Sequence, residues 1–254
     1  MERMPAASIH HRELQDTFEI WQRKPLIREV YNDFYLLLRT CLFQDRNGCT
    51  IELGAGFGGL KVVQPNCIAT DLFSTPWIDQ TENAYRLSFA DSSVSNLVMM
   101  DVFHHLEFPG DAAAECLRVL KPRGRLLLFE PDLGMLGYAV YGLLHHEPLG
   151  LTQQIRWRRD KSESDCEKYY AAQANAFRIF VRGEFKRELA EWRILRVQRL
   201  ASLSYVMAGG LRKRQLYPTA AYRMMKRIDG VLNFFPWLFA TRMLVVLEKK
   251  ETGS

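Results

Sequence analysis

The chain has 254 residues, enough for one large domain or one domain with an elaborate insertion. Its composition, 48% hydrophobic and 25% charged, is that of an ordinary soluble globular protein, without repeats or a low-complexity segment. The net charge of +5 hides an asymmetry: residues 1–150 carry 13 Lys/Arg against 19 Asp/Glu (−6), residues 151–254 carry 21 against 10 (+11). A basic second part suits an anionic acceptor, an anionic membrane surface, nucleic acid, or simply a solvated face.

Two helical segments open the chain, Arg12 to Trp21 and Leu26 to Leu42, separated by Pro25, which starts a helix but interrupts one. In the second, Ile27, Val30, Tyr31, Phe34, Leu37 and Leu38 recur at the spacing of one buried face. After an Asp-Arg-Asn-Gly turn at 45–48, strand and helix signals alternate. Cys49 to Leu53 reads as a strand, Phe57 to Val63 as a short helix closed by Pro65, and Cys67 to Thr70 as a strand ending in Asp71. Leu97 to Met100 is a strand ending in Asp101, Ala112 to Leu120 a helix stopped by Lys121-Pro122-Arg123-Gly124, and Arg125 to Phe129 a strand ending in Glu130-Pro131. Continuous apolar strands joined by helices imply a parallel sheet covered on both faces.

Residues 133–190 read as helices and loops rich in aromatics and arginines, too apolar for a tether and suited to cover a substrate. Trp192 to Leu200 then reads as a strand, Tyr217 to Leu232 as a helix and Thr241 to Lys249 as a final strand. Cys41, Cys49, Cys67, Cys116 and Cys166 are odd in number and widely spread, with no Cys-x-x-Cys pair. Reduced thiols in the cytoplasm and no metal site are expected. Met1 to His10 lacks a signal-peptide core. Gly230 to Leu247 is interrupted by Pro236 and Arg242, so no span is expected, though amphipathic membrane contact stays open.

Chemistry concentrates at the strand ends, where open parallel sheets bind ligands. The run Ile51-Glu52-Leu53-Gly54-Ala55-Gly56-Phe57-Gly58-Gly59 leaves a strand through an acid into alternating glycines. Glycine permits sharp turns with positive φ and close approach to a ligand. Gly54, Gly56 and Gly59 also satisfy the dinucleotide spacing GxGxxG, so the loop alone leaves a nicotinamide cofactor open. Glu52 tilts the choice, because it would repel a pyrophosphate and suits the ammonium of S-adenosylmethionine or a bound water. Asp71, 17 residues after Gly54, stands where a carboxylate accepts from both ribose hydroxyls, or else caps the next turn.

Cys49 to Asp132 resembles the core of the class I S-adenosylmethionine-dependent methyltransferases, specifically the ubiquinone/menaquinone C-methyltransferase-like group. The acid-x-Gly-x-Gly-x-Gly loop is matched by Glu52, Gly54, Gly56 and Gly58, and the acid ending the second strand by Asp71. Asn83-Ala84 stands at the family's Asp-Ala, DVFHHL (101–106) at its His-His-Leu variant, and LRVLKPRGRLLLFEPD (117–132) at its approach to strand five. The resemblance implies a Rossmann-like, mostly parallel seven-stranded sheet with an antiparallel last strand, a helical N-terminal cap and a helical insertion after the fifth strand. It divides one methyltransferase domain into N-terminal helices (1–47), cofactor-binding core (48–132), substrate-covering insertion (133–190) and a strand-helix-strand completion (191–254). Implied cofactor residues are Glu52, Gly54, Ala55, Gly56, Gly58, Asp71, Leu72, Asn83, Ala84, Asp101 and Val102. Asn83 replaces the family's adenine-binding aspartate, and its side-chain oxygen remains an acceptor.

Methyl transfer from a sulfonium needs collinear reactants and exclusion of water, plus a base when the acceptor is a hydroxyl or an acidic carbon. His104 and His105 are the candidate bases, with His145 and His146 in the covering segment as lesser ones. The alternative is that one histidine packs and the other holds a loop. Glu130 either orients the acceptor or is a turn acid. The sequence thus reads as a cytoplasmic methyltransferase of a small-molecule or lipid-linked, anionic acceptor at oxygen or carbon. RNA methylation by the basic half and a catalytically silent binding protein are the alternatives. The absence of an RNA-binding module or base-methylation motif weighs against nucleic acid.

Overall fold

Pro25 divides the N-terminal region as expected, ending α1 (Ala6–Arg23) and occupying the first turn of α2 (Pro25–Thr40). The computed structural model describes residues 6–45, 48–145, 147–160, 170–211 and 213–251. His146, Cys166 and the middle of the 45–48 turn lie outside the described residues. The remaining elements are β1 (Thr50–Leu53), β2 (Ile68–Asp71), β3 (Gln80–Thr81), β4 (Val94–Met100), α3 (Pro109–Val119) and β5 (Leu120–Pro131). They are followed by α4 (Met135–Ala139), α5 (Asn175–Phe180), β6 (Trp192–Ala201), α6 (Leu203–Met207), α7 (Tyr222–Leu232), α8 (Pro236–Phe239) and β7 (Ala240–Lys249).

The seven strands form one sheet in the order β3-β2-β1-β4-β5-β7-β6. β1 pairs in parallel with β2 and β4, and β4 with β5, whereas β7 is antiparallel to both β5 and β6. This is the expected sheet. Alternate residues of its central strands feed two cores. Val98, Met100, Leu127, Phe129, Leu244 and Val246 face α2, α6 and α7, while Leu97, Met99, Leu126, Leu128, Val245 and Leu247 face α3 and α5. Strands buried on both faces read as uninterrupted apolar runs.

Two expectations are corrected, and one short strand left no trace in the sequence. Phe57 to Val63 is not a helix: only a four-residue 3₁₀ turn, Gly59–Val62, forms. Gly58 in left-handed backbone before it and Pro65 after it leave too few residues to repay helix nucleation. The two-residue β3 is too short to carry a periodic signal. Between β5 and β6 the described backbone is mostly loop, with helix confined to α4, its π-type continuation Val140–Leu144, and α5. No helix among the described residues is long and apolar enough to cross a membrane.

Candidate active site

β1, β2 and β4 are neighbours in register, Leu53 lying opposite both Thr70 and Met99, so Gly54, Asp71 and Asp101 emerge side by side. Gly54, Gly56 and Gly58 all adopt left-handed backbone, with φ of 66°, 57° and 72°. A Cβ on Gly54 would stand 2.4 Å from Val102 Cγ2. Gly59 has ordinary backbone and is required for another reason, since its Cβ would lie 2.2 Å from the Tyr35 hydroxyl. The conformation therefore follows the acid-x-Gly-x-Gly-x-Gly spacing.

Glu52 is 2% exposed and hydrogen-bonded within the protein. Its Oε2 accepts from Leu60 N at 3.2 Å, and the Tyr35 hydroxyl donates to the same carboxyl. Burial, helped by nearby Asp71, raises its pKa to about 8 against these bonds. The sequence assigned the acid a ligand partner; the fold supplies Tyr35 and Leu60. Asp71 is buried too, its Oδ2 accepting from Gly56 N (3.0 Å) and its Oδ1 from Leu72 N (2.7 Å). It does cap the next turn, and it fastens the glycine loop to β2. Ala55 N completes that seam by donating to Thr70 O at 2.8 Å. Glu82 N donates to Asp71 O, which brings Asn83 and Ala84 beside Asp71. The Asn83 side-chain oxygen accepts from Tyr85 N at 2.9 Å, and Leu72 is exposed.

At the end of β4 the carboxylate of Asp101 turns to the opposite partner. Both of its oxygens are taken by the Arg242 guanidinium, at 2.6 Å each. Arg242 lies among the rings of Phe34, Phe129 and Tyr205. Asp101 is thereby an ion-pair partner, a role the sequence did not reveal.

The next residues form a charge cluster. Glu130, fully buried at the end of β5, accepts from Val102 N (3.0 Å) and Phe103 N (2.8 Å) through Oε1 and meets His104 Nδ1 at 2.6 Å through Oε2. Its turn-holding reading is borne out by geometry. His104 Nε2 lies 3.6 Å from Glu147 Oε2. Burial alone would lower the His104 pKa, but Glu130, with Glu147 behind it, outweighs burial and holds it at about 10. That shift favours the charged ring, and the geometry holds His104 between Glu130 and Glu147.

His105 differs. Its Nδ1 donates to the Tyr170 carbonyl at 3.0 Å, which makes Nε2 the basic atom, 3.9 Å from Glu147 Oε1. Burial and the neighbouring His104 cation lower its pKa, keeping it neutral. His145 also reaches Glu147, at 3.8 Å. His104, His105 and Glu147 are the one set among the described residues whose ligand atoms, within 4.8 Å of one another, are close enough for a metal. His104 lies between the two carboxylates, 2.6 Å from Glu130 and 3.6 Å from Glu147.

The 133–190 segment delivers Glu147 and Tyr170 because it is pinned to the strand-four loop. Ala172 N donates to His104 O, and Gly110 N to Trp157 O. A Cβ on Gly110 would strike Trp157, 2.4 Å away. On the other side α1 covers the glycine loop: Phe18 packs on Trp77 (4.8 Å between centroids) and Trp21 on Phe57 (5.0 Å), and Leu14 faces Gly56. Lys24, at the α1–α2 junction, donates to the carbonyls of Ala208, Gly210 and Lys213 at 2.9, 2.8 and 2.7 Å. Tyr35, Glu147, Tyr170 and Arg242 escaped the sequence reading. Only Arg242, a charge inside an apolar strand, gave a usable signal.

With this geometry established, residues 64–128 match the model of the methyltransferase domain family. This stretch, from just before β2 to within β5, is what the chain shares in sequence with that family. No curated protein matches the sequence. Among solved structures, a methyltransferase from Thermotoga maritima aligns with a TM-score of 0.54 at 14% identity, over 94% of this chain and 99% of that one. The methyltransferase bound to the Haloferax volcanii Trm112 activator aligns with a TM-score of 0.54 at 13% identity, over 98% and 100%. Geranyl diphosphate C-methyltransferase from Streptomyces coelicolor, solved with S-adenosyl-L-homocysteine, gives 0.51 at 14%, over 86% and 76%. At these identities the likeness is one of fold.

Proposed function

We propose that the protein transfers a methyl group from S-adenosylmethionine to a small-molecule or lipid-linked acceptor, at oxygen or carbon. One observation carries this reading: the left-handed glycine loop between Glu52 and Asp71 opens at the same carboxyl end of the sheet as His105, whose Nδ1 is held by the Tyr170 carbonyl. S-adenosylmethionine, when bound, supplies an activated methyl. Gly54, Ala55, Gly56 and Gly58 bring backbone against it, and Val102 walls the loop. Asp71 holds the ribose with the lone pairs left beside its two amide bonds, while Leu72, Asn83 and Ala84 frame the adenine. Glu52 would receive the ammonium, its own proton leaving to solvent. His105 Nε2 takes the acceptor proton. Glu130 and His104 position that histidine, and residues 133–190 exclude water.

We assign the whole chain to one methyltransferase unit with the cap, core, insertion and completion described above. The cytoplasm suits its free cysteines Cys41, Cys49, Cys67 and Cys116. RNA methylation loses support because several basic-half arginines are engaged in ion pairs, Arg178 with Glu184, Arg193 with Glu248 and Arg199 with Asp132.

Calorimetric titration with S-adenosylhomocysteine tests the cofactor site. Wild type should bind and Asp71→Ala should bind at least about tenfold more weakly, the loss of a charge-assisted hydrogen bond; equal affinities would refute the site. Label transfer from methyl-labelled S-adenosylmethionine into a metabolite and lipid extract separates an enzyme from a silent binding protein.

A further inference from the structure

The side of the molecule formed by α7, α8 and the preceding 208–216 loop combines protruding apolar groups with cations. α7 turns Tyr222, Met225 and Asp229 inward, where Tyr222 donates to Asp33 at 2.7 Å and Asp229 accepts from Ser204. Those bonds fix which face looks out. The outward face shows Met224, Ile228 and Val231, spaced by four and three residues, and the stripe continues into Phe234, Phe235 and Trp237. Phe234 is 81% exposed and Trp237 60%, so these side chains stand proud of the surface.

Arg223, Lys226 and Arg227 border the stripe, with Lys213 and Arg214 beyond it, all exposed. Between Ser202 and Ala240 the only acid among the described residues is Asp229, which is buried. Lys226 also reaches Asp33 on α2 at 2.9 Å. Exposed cations around an apolar, tryptophan-bearing stripe, in a segment that itself contributes no exposed acid, match the makeup of a helix that lies in a bilayer interface. A rigid partner would need a separate pocket for each protruding ring, whereas the headgroup–acyl boundary accepts them all at once.

We infer that this face docks on an anionic phospholipid surface. It adjoins the active-site edge, because α8 leads directly into β7, which carries Arg242, and Gly134 N donates to Ala240 O at their junction. The inference is independent of the cofactor assignment and extends the lipid-linked reading by saying where such an acceptor would be met.

The full chain is floated with vesicles of phosphatidylcholine, with and without phosphatidylglycerol, and in parallel titrated with S-adenosylhomocysteine. Partitioning should be at least about tenfold stronger on the anionic vesicles and should fall with salt. Phe234→Ala/Trp237→Ala and Arg223→Glu/Arg227→Glu should each reduce it about tenfold or more while leaving S-adenosylhomocysteine affinity unchanged, which shows that the variants are folded. Equal partitioning on both vesicle types, or none, overturns the proposal. So does a concentration-dependent dimer by sedimentation that the same variants abolish, since the face would then be covered by a second copy. Loss of cofactor binding with intact partitioning would count against the methyl-transfer reading alone.

Discussion

Arg242 and Asp101 meet fork to fork, with Nη1–Oδ1 and Nη2–Oδ2 both at 2.6 Å, and join the start of β7 to the end of β4 across β5. Arg242 is 1% exposed, and the aspartate sits in left-handed backbone with φ of 57°.

Removing one partner strands the other. Asp101→Ala should cost about 3–5 kcal/mol, because a buried guanidinium is left without its counter-ion. For a chain of this size the thermal midpoint should fall by roughly 10 °C in calorimetry. Arg242→Lys should recover only part of the loss, since a single ammonium cannot reproduce the two parallel bonds.

Glu52 makes stability and cofactor binding depend on pH. Its folded-state pKa of about 8 lies above the ordinary 4.5. The folded chain therefore keeps a proton that the unfolded chain releases, and stability falls as pH rises between those values. Glu52→Gln should flatten that slope in denaturant titrations. An ammonium placed against Glu52 should expel its proton, so S-adenosylhomocysteine binding near pH 7 should release up to about one proton, read as a buffer-dependent binding enthalpy. The glutamine variant should show none of this release.

The two adjacent histidines should separate cleanly. His105→Asn should lower kcat by about a hundredfold or more without moving S-adenosylhomocysteine affinity, and kcat in wild type should decline only below the ordinary histidine range. A loss under about tenfold would mean that no proton is moved there. His104→Gln should instead lose about 3 kcal/mol of stability. The His104 pKa is raised from 6.5 to about 10, so that contribution is full below pH 6.5 and disappears as pH passes 10. Melting curves of wild type and variant should differ most in mild acid.

Gly58→Ala tests the loop. The new methyl would meet Trp77 O at 3.0 Å and force a left-handed alanine. About 1–2 kcal/mol of strain is expected, with weaker S-adenosylhomocysteine binding by calorimetry. Gly59→Ala should act differently, displacing Tyr35 and thereby Glu52.

The sheet was legible because its central strands are apolar on both faces, and the glycine loop because alternating positive-φ positions leave a literal trace in sequence. What stayed hidden depends on long-range contact. Tyr35 lies under Gly59 from the α2 side, Glu147 reaches His104 from a loop with no regular structure, and Asp101 is paired with Arg242 from a strand 141 residues further along. The missing helix after β1 was misread for a local reason: apolar residues between glycine and proline satisfy helical spacing without having the length to form one.

The ammonium of Lys24 uses its three donors on three carbonyls, and Gly209 and Gly210, both in left-handed backbone, shape the loop that presents them. Residue 24 is consequently a fixed pivot at the end of α1. The joint beside the helix that covers Gly56 is therefore tied down by the carbonyls of Ala208, Gly210 and Lys213, almost two hundred positions further along the chain.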